Sequence, residues 1–232
     1  MTQSHDSDDV TRMTRTAGQM TDDFELPPAD PLPIGGTALQ CWLGEAAIDL
    51  FYAHGAVATT VREITGACGL TPGALYNHFA SKDHLLYVLI RDIHLLVNEQ
   101  MTEALALAGT EPDCQLVAMV RFLVAHTAGY KKRSRMANRE FTVLTGERRE
   151  EVRGLRRQIR DRFSGILLAG AEQGVFDLAG GNDASSATLA SATISSMCVH
   201  ISEWTLEHNP TDIADLQDRY VTMALRIAGF KS

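Results

Sequence analysis

The sequence predicts an all-α protein of about nine helices, and three observations lead to this expectation. Apolar residues recur at helical spacing from Ala38 onward, no segment alternates apolar and polar residues as a strand would, and aromatic residues make up only 6% of the chain. With 45% hydrophobic and 22% charged residues, the composition is that of an ordinary globular protein. A chain of 232 residues accommodates one large domain or two small ones.

Residues 1–36 are rich in Asp, Thr, Ser and Pro and show no sustained apolar period, which predicts a disordered tail. They also lack the apolar segment of a signal peptide, and no apolar run in the chain approaches the roughly 20 residues that span a bilayer. The scattered cysteines, without the spacing of a metal site, indicate small buried hydrophobes in a reducing compartment. We therefore expect a cytoplasmic protein with no membrane span, no metal and no cofactor.

The first helix is expected to begin near Ala38 and to end at Gly55, a residue that supplies a C-terminal stop. Its apolar face consists of Ala46, Ala47, Leu50 and Phe51. A second, short helix is predicted from Val61, because Thr60 and Glu63 have the spacing of a capping box. Gly69 then permits the left-handed turn that a helix-turn-helix requires.

The third helix is also short and is predicted from Pro72 to Phe79, with Thr71 as its cap and Pro72 at its first position. Leu75 and Phe79, four residues apart, are expected to hold it against the other helices. The small residues Gly73 and Ala74 allow a helix to lie deep in a groove.

Six longer helices are expected beyond this motif. Their predicted extents are Ser81 to Gly109, Leu116 to Val124, Lys131 to Leu144, Val152 to Leu167, Ala184 to Leu206 and Thr211 to Ala228. Ser81 is a good N-cap for the first of these, which Gly109 and Pro112 are expected to end. Gly146 is expected to close the third, and Asn209-Pro210 to break the fifth.

The polar residues on the predicted outer face of the third helix have side chains that can form hydrogen bonds with DNA. The Tyr76 hydroxyl and the His78 ring can donate to phosphate oxygens, and Asn77 can pair with the Hoogsteen edge of adenine. Lys82, at the start of the next helix, combines its charge with free backbone N–H groups that favour a phosphate. Thr60 can contribute its hydroxyl or its backbone N–H at the other edge.

An ordinary helical hairpin is the alternative interpretation, and the net charge of −8 favours it, because acidic proteins are repelled from DNA unless positive charge is concentrated locally. Only Arg62, Lys82 and Arg91 carry positive charge between Gly36 and His94. A dimer needs few phosphate contacts per half-site, so we expect modest non-specific affinity and specificity that depends on base contacts.

The run from Ala46 to Leu86 resembles the TetR/AcrR family of bacterial transcriptional regulators. Its segments T-T-V-R-E-I, G-L-T-P-G-A-L-Y-N-H-F and S-K-D-H-L-L match that family's DNA-binding signature. The resemblance implies a helix-turn-helix domain at residues 37–82 that binds a double-stranded DNA operator, and a ligand-binding and dimerisation domain at residues 83–232. The DNA contacts that it implies are Thr60, Thr71, Gly73, Tyr76, Asn77, His78 and Lys82. Two departures, Thr65 where Ala is usual and the adjacent Gly66, concern the rigidity of the second helix.

The family also implies a homodimer built from the last two helices. Small residues on the first of them would allow close helix approach: Ala187, Ala190, Ser191, Ala192, Thr193 and Ser195. An internal core helix is the alternative. Repression is the family's default, with an effector that changes the spacing of two recognition helices about one DNA turn, roughly 34–36 Å, apart.

The segment from Tyr130 to Arg162 holds more than half of the chain's Lys and Arg. Most of these residues are expected to form a solvated, salt-bridged face, whereas some could grip an anionic ligand. The motif from Arg135 to Leu144, the Arg-rich helix and I-S-E-W at Ile201 to Trp204 resemble the branch of the family that senses acyl-coenzyme A thioesters. A neutral, hydrophobic drug-like or lipid effector is the alternative.

The expected effector contacts fall into two groups, those that form the lining of a pocket and those at its mouth. The lining candidates are Phe122, His126, Asn138, Phe141, Met197, His200 and Trp204, and the mouth candidates are Arg135, Arg139 and Arg160. Each aromatic residue or Met among them could instead be plain core. An enzyme is not expected, because no catalytic motif occurs and Cys198 and His200 lie on different helix faces. A metal sensor is not expected either, because no ligand spacing is convincing.

Overall fold

The computed structural model describes residues 37–204 and 212–230. Within these ranges the chain forms nine α-helices of at least five residues, and no strand is present. They are α1 Ala38–His54, α2 Val61–Ala67, α3 Pro72–Tyr76, α4 Lys82–Ala108, α5 Pro112–Gly129, α6 Lys131–Glu140, α7 Gly146–Glu172, α8 Ala184–Val199 and α9 Ile213–Ile227. A 3-10 turn, Phe141–Val143, follows α6, and a single helical turn, Ile201–Trp204, follows α8. The all-α prediction is confirmed, whereas the predicted tail at residues 1–36 lies outside the described residues.

Helix α4 ends at Ala108, directly before Gly109, as predicted. Pro112 begins α5 instead of helping to end α4, because proline is tolerated at the first helical position, where no intrahelical donor is needed. Two other predicted helix ends were wrong. Gly146, with φ +57°, opens α7, and α6 has already ended at Glu140. The helix expected to reach Leu206 ends at Val199. The predicted break at Asn209-Pro210 lies outside the described residues.

The described chain forms two compact units, with α4 and α7 each contributing residues to both. The N-terminal unit comprises residues 37–97 and 130–156, and the C-terminal unit comprises residues 98–129, 157–204 and 212–230. No helix in these ranges combines the length and the apolar character needed to cross a membrane.

The N-terminal unit is built on one hydrophobic core. Its buried members include Leu43, Ala47, Phe51, Ile64, Leu75, Phe79, Leu85, Leu86, Leu89 and Met136. The apolar face predicted for α1 supplies part of this core, and Phe51 is 1% exposed. Burial of a large apolar side chain contributes about 1.5–3 kcal/mol relative to exposure, so the core holds the short helices α2 and α3, which are too short to be stable alone.

Helix α6 packs against α1 within the same unit. Lys132 forms an ion pair with Asp49 (2.7 Å), and Arg133 forms one with Glu45 (2.6 Å). Because the first pair is largely exposed, it adds little stability, whereas the Arg133 side chain is only 15% exposed. The basic face of α6 is therefore directed in part at the acidic face of α1.

The C-terminal unit is centred on α5, which packs against α8 and α9. Leu116, Met119 and Phe122 of α5 are almost completely buried. The Ser191 hydroxyl donates to the Arg160 carbonyl (2.8 Å), which joins α8 to α7. Asp177 lies in the connection between α7 and α8, and its backbone N–H donates to the carbonyls of Ala228 and Gly229 at the end of α9. This contact anchors the connection. The unit is thus a helical bundle packed around α5.

Candidate nucleic-acid interface

Helix α2 begins with a complete capping box, as predicted. The Thr60 Oγ1 accepts from the backbone N–H of Glu63 (3.3 Å), and a Glu63 carboxylate oxygen accepts from the Thr60 N–H (2.7 Å). The Thr60 hydroxyl also donates to that carboxylate (2.8 Å), and these two donors hold the pKa of Glu63 below its ordinary value. Thr60 is exposed at the start of α2, with its hydroxyl engaged in the cap.

The turn after α2 has the left-handed glycine that the sequence predicted. Gly69 has φ +64°, and the N–H of Leu70 donates to the Thr65 carbonyl (2.8 Å), which closes the end of the helix. The side chain of Thr65, the residue that departs from the family's usual Ala, is buried, and its hydroxyl donates to the Val61 carbonyl (2.9 Å). This bond satisfies the hydroxyl within α2, so the substitution leaves no unpaired polar group there.

Helix α3 is shorter than predicted, since it ends at Tyr76 and the chain continues through a turn to Phe79. The N–H of His78 bonds the Leu75 carbonyl three residues back, which tightens the last turn. Thr71 stands at the N-cap position but its side chain makes no capping hydrogen bond, so the predicted cap is present only in backbone geometry. Pro72 at the first helical position carries the start of α3 instead.

The two faces of this segment are clearly separated. Leu75 is 0% exposed and Phe79 3% exposed, whereas Tyr76 is 57% exposed and Asn77 is exposed as well. His78 is half-buried. A phenol and a carboxamide therefore project into solvent from a helix whose opposite face is anchored in the core, an arrangement suited to a groove.

Thr71 and Gly73 lie at the exposed N-terminal end of α3. A Cβ placed on Gly73 would meet nothing closer than the Thr71 hydroxyl, at 4.0 Å. The protein itself therefore does not require glycine at this position, and the absence of a side chain leaves room for an external surface.

Lys82 does not extend freely into solvent. Its ammonium donates to the backbone carbonyls of Ala56 (2.5 Å) and Thr59 (2.6 Å), in the turn between α1 and α2. The sequence could not show this contact, because the lysine and the two carbonyls are more than twenty residues apart in the chain.

The predicted effector contacts in the N-terminal unit lie on and just after α6. The guanidinium of Arg135 contacts the ring and hydroxyl of Tyr52 on α1, and Arg139 is exposed. Asn138 accepts a hydrogen bond from Arg156 (3.4 Å), whose guanidinium lies 4.7 Å from the centre of the Phe141 ring. Asn138 and Phe141 are thus brought together with an arginine that the sequence analysis did not single out.

The remaining predicted effector contacts lie in the C-terminal unit. Phe122 and His126, one turn apart on α5, are buried with ring centres 5.8 Å apart. Arg160 and His200 are exposed, and Met197 is half-buried. Trp204 is 53% exposed.

A second arginine–aromatic cluster in the N-terminal unit was missed from the sequence. The guanidinium carbons of Arg91 and Arg148 each lie 5.4 Å from the centre of the Tyr87 ring, and the Tyr87 hydroxyl donates to Glu151. Burial and the hydrogen bond to Glu151 raise the pKa of Tyr87. Only the spacing of Tyr87 and Arg91 on one face of α4 was visible in the sequence.

The fold and this exposed helix define a helix-turn-helix DNA-binding regulator. The chain belongs to the TetR family: a family model described as bacterial regulatory proteins, tetR family, matches residues 43–88, and one described as tetracyclin repressor-like, C-terminal domain, matches residues 109–228. The resemblance inferred from the sequence is thereby confirmed. The family and its relatives are transcriptional regulators, which weighs against the enzyme alternative.

Three known proteins illustrate the relationship. The HTH-type transcriptional repressor KstR2 of Rhodococcus jostii is 30% identical over 159 residues, which cover 65% of this chain and 73% of the repressor. A tetR-family regulatory protein from Rhodococcus RHA1 has a crystal structure with a TM-score of 0.78 at 28% identity, covering 85% of this chain and all of that one. AibR, solved with isovaleryl coenzyme A and operator DNA, shares the fold with a TM-score of 0.72 at 21% identity, covering 83% of this chain and all of AibR.

Proposed function

We propose that this regulator represses transcription by binding operator DNA as a homodimer, with α3 in the major groove, and that a small-molecule effector releases it. Residues 37–82 would form the DNA-binding domain and residues 83–232 the effector-binding and dimerisation domain. Binding to chromosomal operators would place the protein in the cytoplasm. The observation that carries the proposal is α3 itself, where Leu75 is buried and Tyr76 is 57% exposed.

Each proposed DNA contact has a chemical role. The Tyr76 hydroxyl donates to a phosphate and Asn77 reads an adenine, while His78 supports the backbone contact. Thr60 lies at the start of α2 and Thr71 at the start of α3, and Gly73 lets the backbone approach the groove. The Lys82 ammonium, in contrast, is hydrogen-bonded to the protein.

The proposed dimer interface is the exposed face of α8 together with α9. Helix α8 contains no charged residue, and its exposed positions are Ala184, Ser185, Thr188, Leu189, Ala192, Thr193 and Ser196. Leu189 is 66% exposed, and Met223 on α9 is 41% exposed. The uncharged face of α8, on which Leu189 is exposed, supports contact with a second copy, since surface helices ordinarily carry charges on their solvent side.

The proposed effector is an acyl-coenzyme A thioester. Support comes from AibR, which was solved with isovaleryl coenzyme A, and from arginines near the predicted contacts, since guanidinium groups match phosphate geometry. The proposed contacts are Phe122, His126, Arg135, Asn138, Arg139, Phe141, Arg160, Met197, His200 and Trp204.

Fluorescence anisotropy of a labelled duplex tests the proposal. The duplex is selected from a random library by the full-length protein and then titrated with acyl-coenzyme A thioesters and their matched free acids. Release by a thioester and not by its acid is expected. If neither the thioester nor the acid releases the duplex while DNA binding is intact, the effector is a neutral hydrophobic ligand instead.

A pair of variants on α7 distinguishes an arginine contact from general loss of charge. Arg160→Gln should weaken thioester-induced release, whereas Arg157→Gln, an equally charge-reducing change at another exposed position three residues away, should not. Equal effects of the two variants would remove Arg160 from the proposed site.

A further inference from the structure

Two charged side chains from other helices hold the turn between α1 and α2. Lys82, the first residue of α4, directs its ammonium at three carbonyls of this turn: Ala56 at 2.5 Å, Thr59 at 2.6 Å and Val57 at 3.5 Å. An ammonium has three N–H donors, and here two of them make short hydrogen bonds to Ala56 and Thr59, while the contact with the Val57 carbonyl is long.

Glu140, the last residue of α6, contacts the same turn by accepting a hydrogen bond from one of the turn's backbone N–H groups. Its Oε2 accepts from the backbone N–H of Ala56 (3.1 Å), and its Oε1 would lie 3.6 Å from a Cβ placed on Gly55. Both polar backbone groups of Ala56 are therefore bonded to charged side chains, the carbonyl to Lys82 and the N–H to Glu140.

These bonds matter because two residues of the turn are buried, although Val57 between them is 80% exposed. Ala56 and Thr59 are each 2% exposed, so water has little access to satisfy their backbone groups. The Thr59 carbonyl immediately precedes Thr60, the residue that caps α2. Because this carbonyl is held in place, the start of α2 is held in place as well. The tight turn at Gly69 connects α2 directly to α3, so the position of α3 depends on that of α2.

We infer that Lys82 and Glu140 are positioning residues for DNA binding, which clamp the α1–α2 turn and so set the placement of α3 without contacting DNA. The inference rests on the proposed DNA-binding function. It assigns Lys82 a role other than the phosphate contact expected from the sequence, and it assigns Glu140 a role that the sequence did not suggest.

Replacing Glu140 distinguishes a clamping role of this residue from a general effect of protein charge on DNA affinity. Glu140→Ala and its control Glu147→Ala, an exposed position at the start of α7, each remove one negative charge. Electrostatics alone would leave DNA affinity unchanged or raise it in both variants. The clamp predicts that Glu140→Ala lowers affinity for the selected duplex about tenfold while Glu147→Ala does not. Equal or raised affinity in Glu140→Ala would overturn the inference.

The salt dependence of binding tests Lys82. A lost phosphate contact would weaken binding to selected and random duplexes alike. It would also reduce the slope of log K against log salt by about 1.8, since the dimer would lose one contact from each protomer. For Lys82→Met we expect the wild-type slope, with the loss of affinity concentrated on the selected duplex. A reduced slope with a uniform loss would show that Lys82 contacts phosphate and would refute its role in the clamp.

Hydrogen exchange provides a measurement that does not depend on DNA. In Glu140→Ala the Ala56 amide should exchange at least ~10-fold faster than in wild type, while in Glu147→Ala it keeps its protection. Unchanged protection in Glu140→Ala would refute the Glu140 contact, even if Lys82→Met failed to fold. A wild-type protein that selects no duplex would refute the proposed function itself.

Discussion

Leu189 offers a direct test of the proposed dimer, because it is the large apolar residue on the uncharged, exposed face of α8. It lies in the middle of α8, is 66% exposed, and has only uncharged residues beside it on the exposed face. If α8 packs against a second copy, Leu189→Ala should weaken dimerisation while leaving each protomer folded.

The size of the effect follows from the area that the partner would cover. Full burial of a leucine side chain contributes about 1.5–3 kcal/mol, and with Leu189 at 66% exposure about two-thirds of that is available in each protomer. A twofold interface counts the change twice, so the loss is about 2–4 kcal/mol. Since 1.4 kcal/mol is a factor of ten, the dimer Kd should rise about 30- to 1,000-fold.

Sedimentation equilibrium over a range of protein concentrations measures this Kd. Leu107→Ala is the matched control, because Leu107 is 63% exposed and lies near the end of α4. The control should leave the Kd near its wild-type value. An unchanged Kd in Leu189→Ala, or an equal change in both variants, would refute the assignment of this face.

Three further predictions follow from single residues. Tyr76→Phe should weaken binding to the selected duplex roughly tenfold at matched salt while leaving the thermal midpoint unchanged, and an unchanged affinity in the anisotropy assay would exclude a phosphate contact. Burial lowers the pKa of His94 from 6.5 to about 4, so the folded protein holds a neutral ring that the unfolded chain protonates. As the pH is lowered from about 6 to 4, the free energy of unfolding should therefore fall by about 1.4 kcal/mol per pH unit. Urea titrations should show a flatter dependence of this free energy on pH for His94→Gln, and an identical dependence would contradict this reasoning. Gly229→Ala should destabilise by more than ~1 kcal/mol, because φ is +62° and the new Cβ would lie 2.0 Å from the Asp177 carbonyl oxygen, whereas Gly165→Ala, in open space on α7, should stabilise by roughly 0.5–1 kcal/mol. Equal thermal midpoints for the two glycine variants would contradict the structural account.

The DNA-reading motif was predictable because its signals are local. The capping box of Thr60 and Glu63, the positive φ of Gly69 and the proline at the start of α3 all act within a few residues. Burial of Leu75 and exposure of Tyr76 follow from helical spacing once α3 is known to lie on a core. Local chemistry therefore sufficed for this part of the site.

The role of Lys82 could not be predicted in the same way. Its position at the start of α4 favoured a phosphate contact, whereas in the folded chain two carbonyls of the α1–α2 turn lie within 2.6 Å of its ammonium. A long, flexible side chain can reach several partners, and which of them it meets depends on how the helices pack.

The sequence by itself determined the all-α class, the position of the helix-turn-helix and the membership in the TetR family, since these depend on local propensity and on the period of the apolar residues. Only the tertiary structure decided the partners of the charged residues, such as Lys82 on the Ala56 carbonyl, Glu140 on the Ala56 amide and Arg156 on Phe141. The physical reason is that apolar burial follows a helical period that can be read along the chain, whereas an ion or hydrogen-bond donor pairs with whichever distant group the packing places within about 3 Å.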